Sequence, residues 1–171
     1  IVSDETKRLS RLVTAMLNMS KIEAGELKLN PKAFDISAEI FNVLLSFEQI
    51  IERKHIEISG LDRLHSVTVT ADEDMIHQVI YNLVDNAVKF TENGTISVFA
   101  DDDENATLIK VVNTGAGISS EEREKIFERF YKVDKSRSYD VKGAGLGLYI
   151  CKTIVEMHGG SIGCNSEEGK Y

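Results

Sequence analysis

The sequence is short of the residue types that mark disulfide-stapled, metal-bound or membrane-spanning proteins. Among 171 residues it has no tryptophan, one proline and two cysteines, and aromatic residues make up 7%. Cys151 and Cys164 match no metal-ligand spacing, and nothing indicates an oxidising compartment, so we expect buried, reduced thiols. No apolar run approaches the roughly 18 residues of a membrane span, and no signal-peptide pattern opens the chain.

Positive charge is also scarce. Twenty Lys and Arg face twenty-eight Asp and Glu, which gives a formal net charge of −8. A nucleic-acid binder usually shows the opposite balance, so we expect no nucleic-acid partner, and any phosphate contact must use a local cluster of cations. The composition, 42% apolar and 28% charged, is that of an ordinary globular chain with one compact domain and a helical extension.

The sequence predicts one long helix at 4–24. Leu9, Leu12, Met16 and Met19 recur at steps of three and four, and Gly25 supplies a stop. An apolar seam ahead of the globular part favours half of a helical hairpin or dimer bundle over a helix packed on its own domain. The chain begins in mid-pattern without Met, so we expect it to be a piece of a longer protein.

The remaining sequence alternates between strand and helix patterns. Period-two stretches predict strands within 26–36, which Pro31 interrupts, and at 56–59, 66–70, 95–100, 107–112 and from Ser161 onward. Period-3.6 stretches predict helices at 38–53 with Ser37 as N-cap, at 72–90, 119–130 and 143–158. The order indicates an α/β fold in which helices cross a mixed sheet. The residues expected to face the core from the helices at 38–53 and 72–90 are Ile40, Val43, Leu44, Phe47, Ile51, Ile76, Val79, Ile80, Leu83 and Ala87.

One helix carries a row of polar side chains that needs an explanation. Asn82, Asn86 and Phe90 follow each other at steps of four, with Lys89 at the edge of the row. Asn is a poor residue for a helix interior, although a solvated face would explain a single one. Two amide oxygens, an ammonium and an aromatic face together suit a metal–phosphate group and a nucleobase. Mg²⁺ prefers hard oxygen ligands of this kind.

Two glycine-rich segments follow, at 113–118 (NTGAGI) after a predicted strand and at 143–148 (GAGLGL) before a predicted helix. Neither fits the dinucleotide-binding fingerprint, and no Gly-Lys-Ser/Thr follows as a Walker loop requires. A glycine-fronted helix N-terminus still attracts phosphate through its free N–H groups and dipole. A local cationic excess lies between the two segments: Arg129, Lys132, Lys135, Arg137 and Lys142.

Four segments together resemble a known family. The segments 82–90 (NLVDNAVKF), 113–118, 127–132 (FERFYK) and 143–148 are similar to the N, G1, F and G2 boxes of sensor histidine kinases, in the GHKL superfamily. Residues 21–25 (KIEAG) resemble the end of that family's second dimerisation helix. The resemblance implies a two-layer sandwich of a mixed β-sheet and three main helices, preceded by one long helix. Residues 1–25 would then be part of the dimerisation hairpin, and 26–171 the catalytic ATP-binding domain with its last strand truncated.

The resemblance also implies a role for each motif residue. Asn86 would bind Mg²⁺, while Asn82 and Lys89 would help to hold the phosphates of ATP. Phe90 would lie against the adenine, and Lys132 would reach the terminal phosphate from a mobile lid at about 131–143. The remaining residues implied to bind nucleotide are Asn113, Gly115, Gly117, Gly143, Gly145, Leu146 and Gly147.

The implied activity is transfer of the terminal phosphoryl group of ATP to a histidine on a dimerisation helix. That histidine is not in this sequence, because none of the four His has the acidic residue and proline that follow it in the family. The implied parent is a homodimeric bacterial membrane sensor, with this fragment in the cytoplasm and a response-regulator receiver domain as partner.

Two positions keep other functions open. The family usually has Asp where this chain has Asn113, whose amide accepts a hydrogen bond without a charge. Weaker binding there would suit a nucleotide-sensing or scaffold module. The hydrolytic branch of the superfamily carries Glu at the position of Asn82 as the base that activates water, and an amide cannot take that proton. Asn82 therefore favours phosphoryl transfer over hydrolysis.

Overall fold

The computed structural model describes residues 28–103, 106–133 and 145–167. The predicted helix at 4–24 and Gly143 lie outside these ranges. The strands are β1 (Lys32–Asp35), β2 (Glu57–Ser59), β3 (Thr68–Ala71), β4 (Thr95–Asp102) and β5 (Thr107–Asn113). The α-helices are α1 (Ile36–Ser46), α2 (Glu48–Arg53), α3 (Glu73–Phe90) and α4 (Gly147–Met157). No helix within the described ranges combines the length and apolarity needed to cross a membrane.

The strands form two small sheets. β1 pairs antiparallel with β3, with Lys32 opposite Ala71. In the other sheet β4 is central, parallel to β2 and antiparallel to β5, with Ile96 opposite Ile58 on one side and Asn113 on the other. The expected α/β fold with mixed strand directions is confirmed.

The main core lies between the sheets and the helices α1 and α3. Strand β4 alternates strictly, burying Ile96, Val98 and Ala100. Ile40 of α1 and Ile80 of α3 are fully buried in the same cluster. Burying such a side chain contributes about 1.5–3 kcal/mol, so this layer holds α3 against the sheet. The buried stripe of α3 includes Val84 and Val88, which the periodicity did not single out, whereas Ile76 and Leu83 are only half-buried.

The prediction of a single helix at 38–53 is wrong, because the helix breaks at Phe47. The Phe47 N–H bonds to Leu44 O at 3.0 Å, a tightened last turn that lets the ring pack 5.0 Å from the ring of Tyr81. Ser37 is not the N-cap either. Asp35 takes that place and accepts from the N–H groups of Ser37 and Ala38.

Two further predicted elements differ in the structure. Residues 119–130 form turns and a short 3₁₀ helix, Lys125–Phe127, and Phe130 at the end of the segment has a φ of +60°, outside the α-helical range. Residues 161–167 form no strand. They are joined to the loop that follows β5 by a side-chain hydrogen bond, in which Ser166 Oγ accepts from Ile118 N at 2.8 Å.

The helices α3 and α4 pack together around a second, smaller core that includes Val79, Ile150, Cys151 and Ile154. At the end of α4, His158 Nδ1 bonds to Ile154 O at 2.8 Å, and its Nε2 accepts from Asp72 N at 3.1 Å. The Asp72 carboxylate caps α3 by accepting from Met75 N. The end of α4 is therefore tied to the beginning of α3.

Candidate nucleotide site

The start of α4 faces the asparagine row of α3. Asn82 Nδ2 lies 3.4 Å from Gly147 O, and a Cβ at Gly147 would stand 3.7 Å from the Asn82 amide. Among the residues that the structure describes, no side chain caps α4, whose N-cap residue is Leu146. The first N–H groups of the helix therefore remain available to a ligand beside Asn82.

The buried thiol of Cys151 contacts the Asn82 side chain. Cys151 is fully buried, and its Sγ donates to Val79 O at 3.7 Å. Burial raises the pKa of the Cys151 thiol to about 12, and a hydrogen bond with the Asn82 side chain opposes that shift. The thiol is therefore a neutral packing group that touches the site, as the sequence predicted for a reduced, buried cysteine.

Gly145 stands where two backbones cross. Its φ is +70°, and a Cβ there would lie 2.7 Å from Phe130 C and 2.8 Å from Tyr131 O. Phe130 N donates to Gly145 O at 2.9 Å. Tyr131 is fixed in turn by a hydrogen bond from its hydroxyl to Glu122 Oε1, and burial together with that carboxylate raises its pKa. The second glycine segment is thus clamped to the F-box segment.

The end of α3 meets the first glycine segment. A Cβ at Gly115 would lie 2.8 Å from Phe90 O, so only glycine permits this approach. The Phe90 ring is 56% exposed and free to lie against a planar ligand. Thr91, fully buried, donates from Oγ1 to Thr114 O at 3.1 Å. Thr91 was not predicted as a site residue, although its position directly after Phe90 could have indicated that it lies at the site.

The orientation of the Asn113 amide follows from its partner. Asn113 Nδ2 lies 3.1 Å from Thr114 O, which can only accept a hydrogen bond. The nitrogen must therefore face that carbonyl, because the flipped amide would place two oxygens in contact. The Asn113 oxygen is left to accept from a ligand, as a carboxylate would.

The other predicted residues are not all brought together. Lys89 forms an ion pair with Asp85 one turn earlier on α3 and would have to leave it to reach a phosphate. Lys132 is exposed, and Gly117 adopts a φ of +75° in the loop after β5. Arg129, adjacent to the F-box aromatic residues, stacks 4.7 Å from the Tyr149 ring and donates to its hydroxyl.

The donor set suits a magnesium ion better than a softer metal. Asn86 is half-buried on α3 and makes no side-chain hydrogen bond to another residue of the described ranges. Its amide oxygen is a hard ligand of the kind that Mg²⁺ takes alongside waters and substrate phosphates. Across those same ranges, no group of three or more His, Cys, Asp and Glu could hold a metal by itself. The chemistry therefore fits an ion that arrives with phosphates.

Residues 71–171 match the family described as "Histidine kinase-, DNA gyrase B-, and HSP90-like ATPase". The chain belongs to this family. The match covers more than half of the sequence and all of the site residues described above. The membership and the relatives below confirm the resemblance to the catalytic ATP-binding domain of sensor histidine kinases, which are ATP-dependent protein kinases.

The sensor proteins and histidine kinases that are similar to this chain agree with this membership. The sensor protein SrrB of Staphylococcus aureus (strain MRSA252) is 40% identical over 175 residues, which cover 99% of this chain and 29% of that protein. The crystal structure of full-length ShkA in complex with AMPPNP is 29% identical with a TM-score of 0.82, over 98% of this chain and 35% of that one. Histidine kinase ThkA in complex with the response regulator protein TrrA is 30% identical with a TM-score of 0.71, over 96% and 46%. The chain thus spans under a third of the sensor protein it matches.

Proposed function

We propose that this domain binds ATP with Mg²⁺ and transfers the terminal phosphoryl group to a histidine on a dimerisation helix. The observation that carries the proposal is the convergence of Asn82 with the uncapped N-terminus of α4, 3.4 Å away at Gly147 O. Phosphoryl transfer needs little beyond positioning and electrostatic stabilisation, and the helix dipole with its free N–H groups supplies both at this point.

Each residue around this point has its own proposed role in binding or transfer. Asn82 donates hydrogen bonds but cannot remove a proton from water, which favours transfer over hydrolysis. Asn86 would hold the magnesium ion, and bound magnesium neutralises the charge that develops on the phosphates. Lys89 would exchange Asp85 for phosphate oxygens, and Lys132, Gly117 and Gly143 would contribute from the loops. Leu146 and Gly147 place the helix backbone beside the phosphates.

The adenine end is proposed to work without the usual carboxylate. The fixed Asn113 oxygen would accept from the exocyclic amino group of adenine, with Phe90 against the ring and Gly115 giving the ring space. A neutral acceptor contributes about 1 kcal/mol, against roughly 1.5–3 for a charged one, so affinity is lower but the base preference is kept. This favours a working kinase domain over the alternative of a scaffold with little catalysis.

The parent protein is proposed to be a homodimer. Residues 1–25 would complete its dimerisation hairpin, residues 26–171 would form the catalytic domain, and a response-regulator receiver domain would accept the phosphoryl group. ThkA, which is similar over nearly the whole chain, has been crystallised with such a regulator. Membrane attachment of the parent is part of the same proposal. Adding the preceding helix from the parent gene should yield a phosphoramidate on its histidine.

Isothermal titration with ATP, with and without Mg²⁺, tests the proposal directly. We expect saturable, magnesium-dependent ATP binding and no phosphate release above background.

In Asn82→Glu, phosphate release should rise by about an order of magnitude or more, because a positioned general base contributes roughly 10²–10⁴-fold. Asn82→Gln matches the length of Glu without its basicity and should stay at background. A folded protein that binds no ATP would instead favour the scaffold function.

Replacing Asn113→Asp should tighten ATP binding by about two- to thirtyfold, because a charged acceptor strengthens the hydrogen bond by roughly 0.5–2 kcal/mol. Competition between ATP and GTP provides the measurement, since the gain should be confined to ATP. An unchanged dissociation constant would show that the charge at this position has no influence on base binding.

A further inference from the structure

The ammonium group of Lys54 lies at the carboxyl end of α3. Lys54 follows α2, and its Nζ is 2.9 Å from Val88 O, 3.3 Å from Lys89 O and 3.1 Å from Thr91 O. An ion pair with Glu92, 2.6 Å from Nζ to Oε1, completes its surroundings. The side chain is 23% exposed, so the charge is largely enclosed by the helix end.

This contact replaces the usual way of ending a helix. α3 has no left-handed glycine after its last turn, and its C-cap residue Thr91 is extended, with φ −104° and ψ 129°. The last carbonyls of a helix lack partners within it and carry partial negative charge. The three donors of the ammonium are shared among three such carbonyls and the Glu92 carboxylate, and its charge opposes the helix dipole. Backbone bonds also tie Asn93 N to Lys54 O and Glu57 N to Gly94 O.

The carbonyls that Lys54 holds belong to the segment that forms the nucleobase end of the site. Phe90 lies between two of them, and its own carbonyl sets the approach of Gly115. Thr91 donates to Thr114 O, the same oxygen that orients the Asn113 amide. A displacement of the 88–91 backbone would therefore change the positions of the aromatic face and of the base acceptor together.

We infer that Lys54 is a positioning residue for base recognition, and this rests on the proposed nucleotide-binding function. Lys54 acts through the backbone at the end of α3 and holds the Phe90 and Thr91 segment in the geometry that accepts adenine. The Lys54 ammonium contacts backbone carbonyls and the Glu92 carboxylate. The phosphate end of the site, at Asn82 and the start of α4, does not depend on it.

The test is base selectivity in Lys54→Met, which keeps the length of the side chain and removes its charge and donors. ATP and GTP are titrated against a fluorescent ATP analogue in the wild-type chain and in the variant. We expect ATP binding to weaken about tenfold, a change of about 1.4 kcal/mol, and GTP binding to weaken less, because guanine would share the Phe90 face but has no amino group to donate to Asn113 in the same way. Glu92→Gln is the matched control, because it removes only an exposed partner and should leave both constants unchanged.

A structural effect alone would give a different result. Val43→Ala removes buried volume from α1, outside the nucleobase segment, and serves as a variant of lowered melting temperature. If Lys54→Met leaves the ATP-to-GTP ratio as it is in Val43→Ala and the wild type, the inference is overturned. If the wild-type chain itself binds no nucleotide, the proposed function fails. Faster hydrogen exchange at residues 90–94 in Lys54→Met alone would then still support the positioning of this segment, and unchanged exchange would overturn it.

Discussion

Replacing Gly145 with alanine is expected to weaken ATP binding by about a hundredfold. Gly145 has a φ of +70°, and an added Cβ would lie 2.7 Å from Phe130 C and 2.8 Å from Tyr131 O. Both neighbours are backbone atoms and cannot turn aside as a side chain would. The F-box segment must therefore move and lose its hydrogen bond to Gly145 O, and the expected hundredfold loss corresponds to about 2.8 kcal/mol of binding free energy.

Two other glycines separate the causes of this effect. Gly159 has a φ of +74° with nothing within 4 Å of an added Cβ, so Gly159→Ala carries only the backbone strain, about 1–2 kcal/mol. Gly163 has neither strain nor neighbours, and Gly163→Ala should be neutral. Isothermal titration and thermal unfolding are measured for all three. If Gly145→Ala binds ATP as tightly as Gly159→Ala, the close approach of the two backbones at Gly145 is not needed for ATP binding.

Asn86→Ala should abolish the magnesium dependence of ATP binding. In the wild-type chain we expect Mg²⁺ to strengthen binding, because one amide oxygen and the substrate phosphates share the ion. Without that oxygen the affinity in the presence of Mg²⁺ should fall by about a hundredfold, and the affinity in a chelator should change little. Titrations with and without Mg²⁺ measure the ratio directly.

Asn42→Ala is the control for this substitution, since Asn42 is an exposed asparagine on α1. It should bind ATP as the wild type does at every magnesium concentration. Equal losses for Asn86→Ala in the presence and absence of Mg²⁺ would mean that Asn86 contacts the nucleotide itself and that another group holds the ion.

The sequence indicates the elements of the site better than their assembly. The spacing of Asn82, Asn86 and Phe90 is a local property of one helix, and α3 begins after its Asp72 cap as predicted. The contact between Asn82 and Gly147 joins residues 65 positions apart, and only the family resemblance brought these motifs together before the fold was known. The crossing at Gly145 depends on the path of two backbones, which no local pattern contains.

The errors have local physical causes. The apolar face of 38–53 runs through Phe47, so periodicity cannot show that this ring is buried by ending one helix and starting another. Asp35 and Ser37 are both good caps. Asp35 prevails because it also accepts from Ser66 Oγ at 2.6 Å, a hydrogen bond that lowers the pKa of its carboxyl. Lys54 was missed because the carbonyls it contacts lie 34 to 37 residues away in sequence.

The bond between His158 and Asp72 gives α4 the mechanics of a lever. The helix has 11 residues and at 1.5 Å per residue is about 16 Å long, with this bond at one end and Gly147 at the other. A tilt of roughly 5° about the His158 end would carry the amides at Gly147 sideways by about 1.4 Å, half the length of a hydrogen bond. The alignment of the Gly147 end is thus set partly by an imidazole at the opposite end of the helix, and substitutions at His158 are expected to change nucleotide affinity without contacting the ligand.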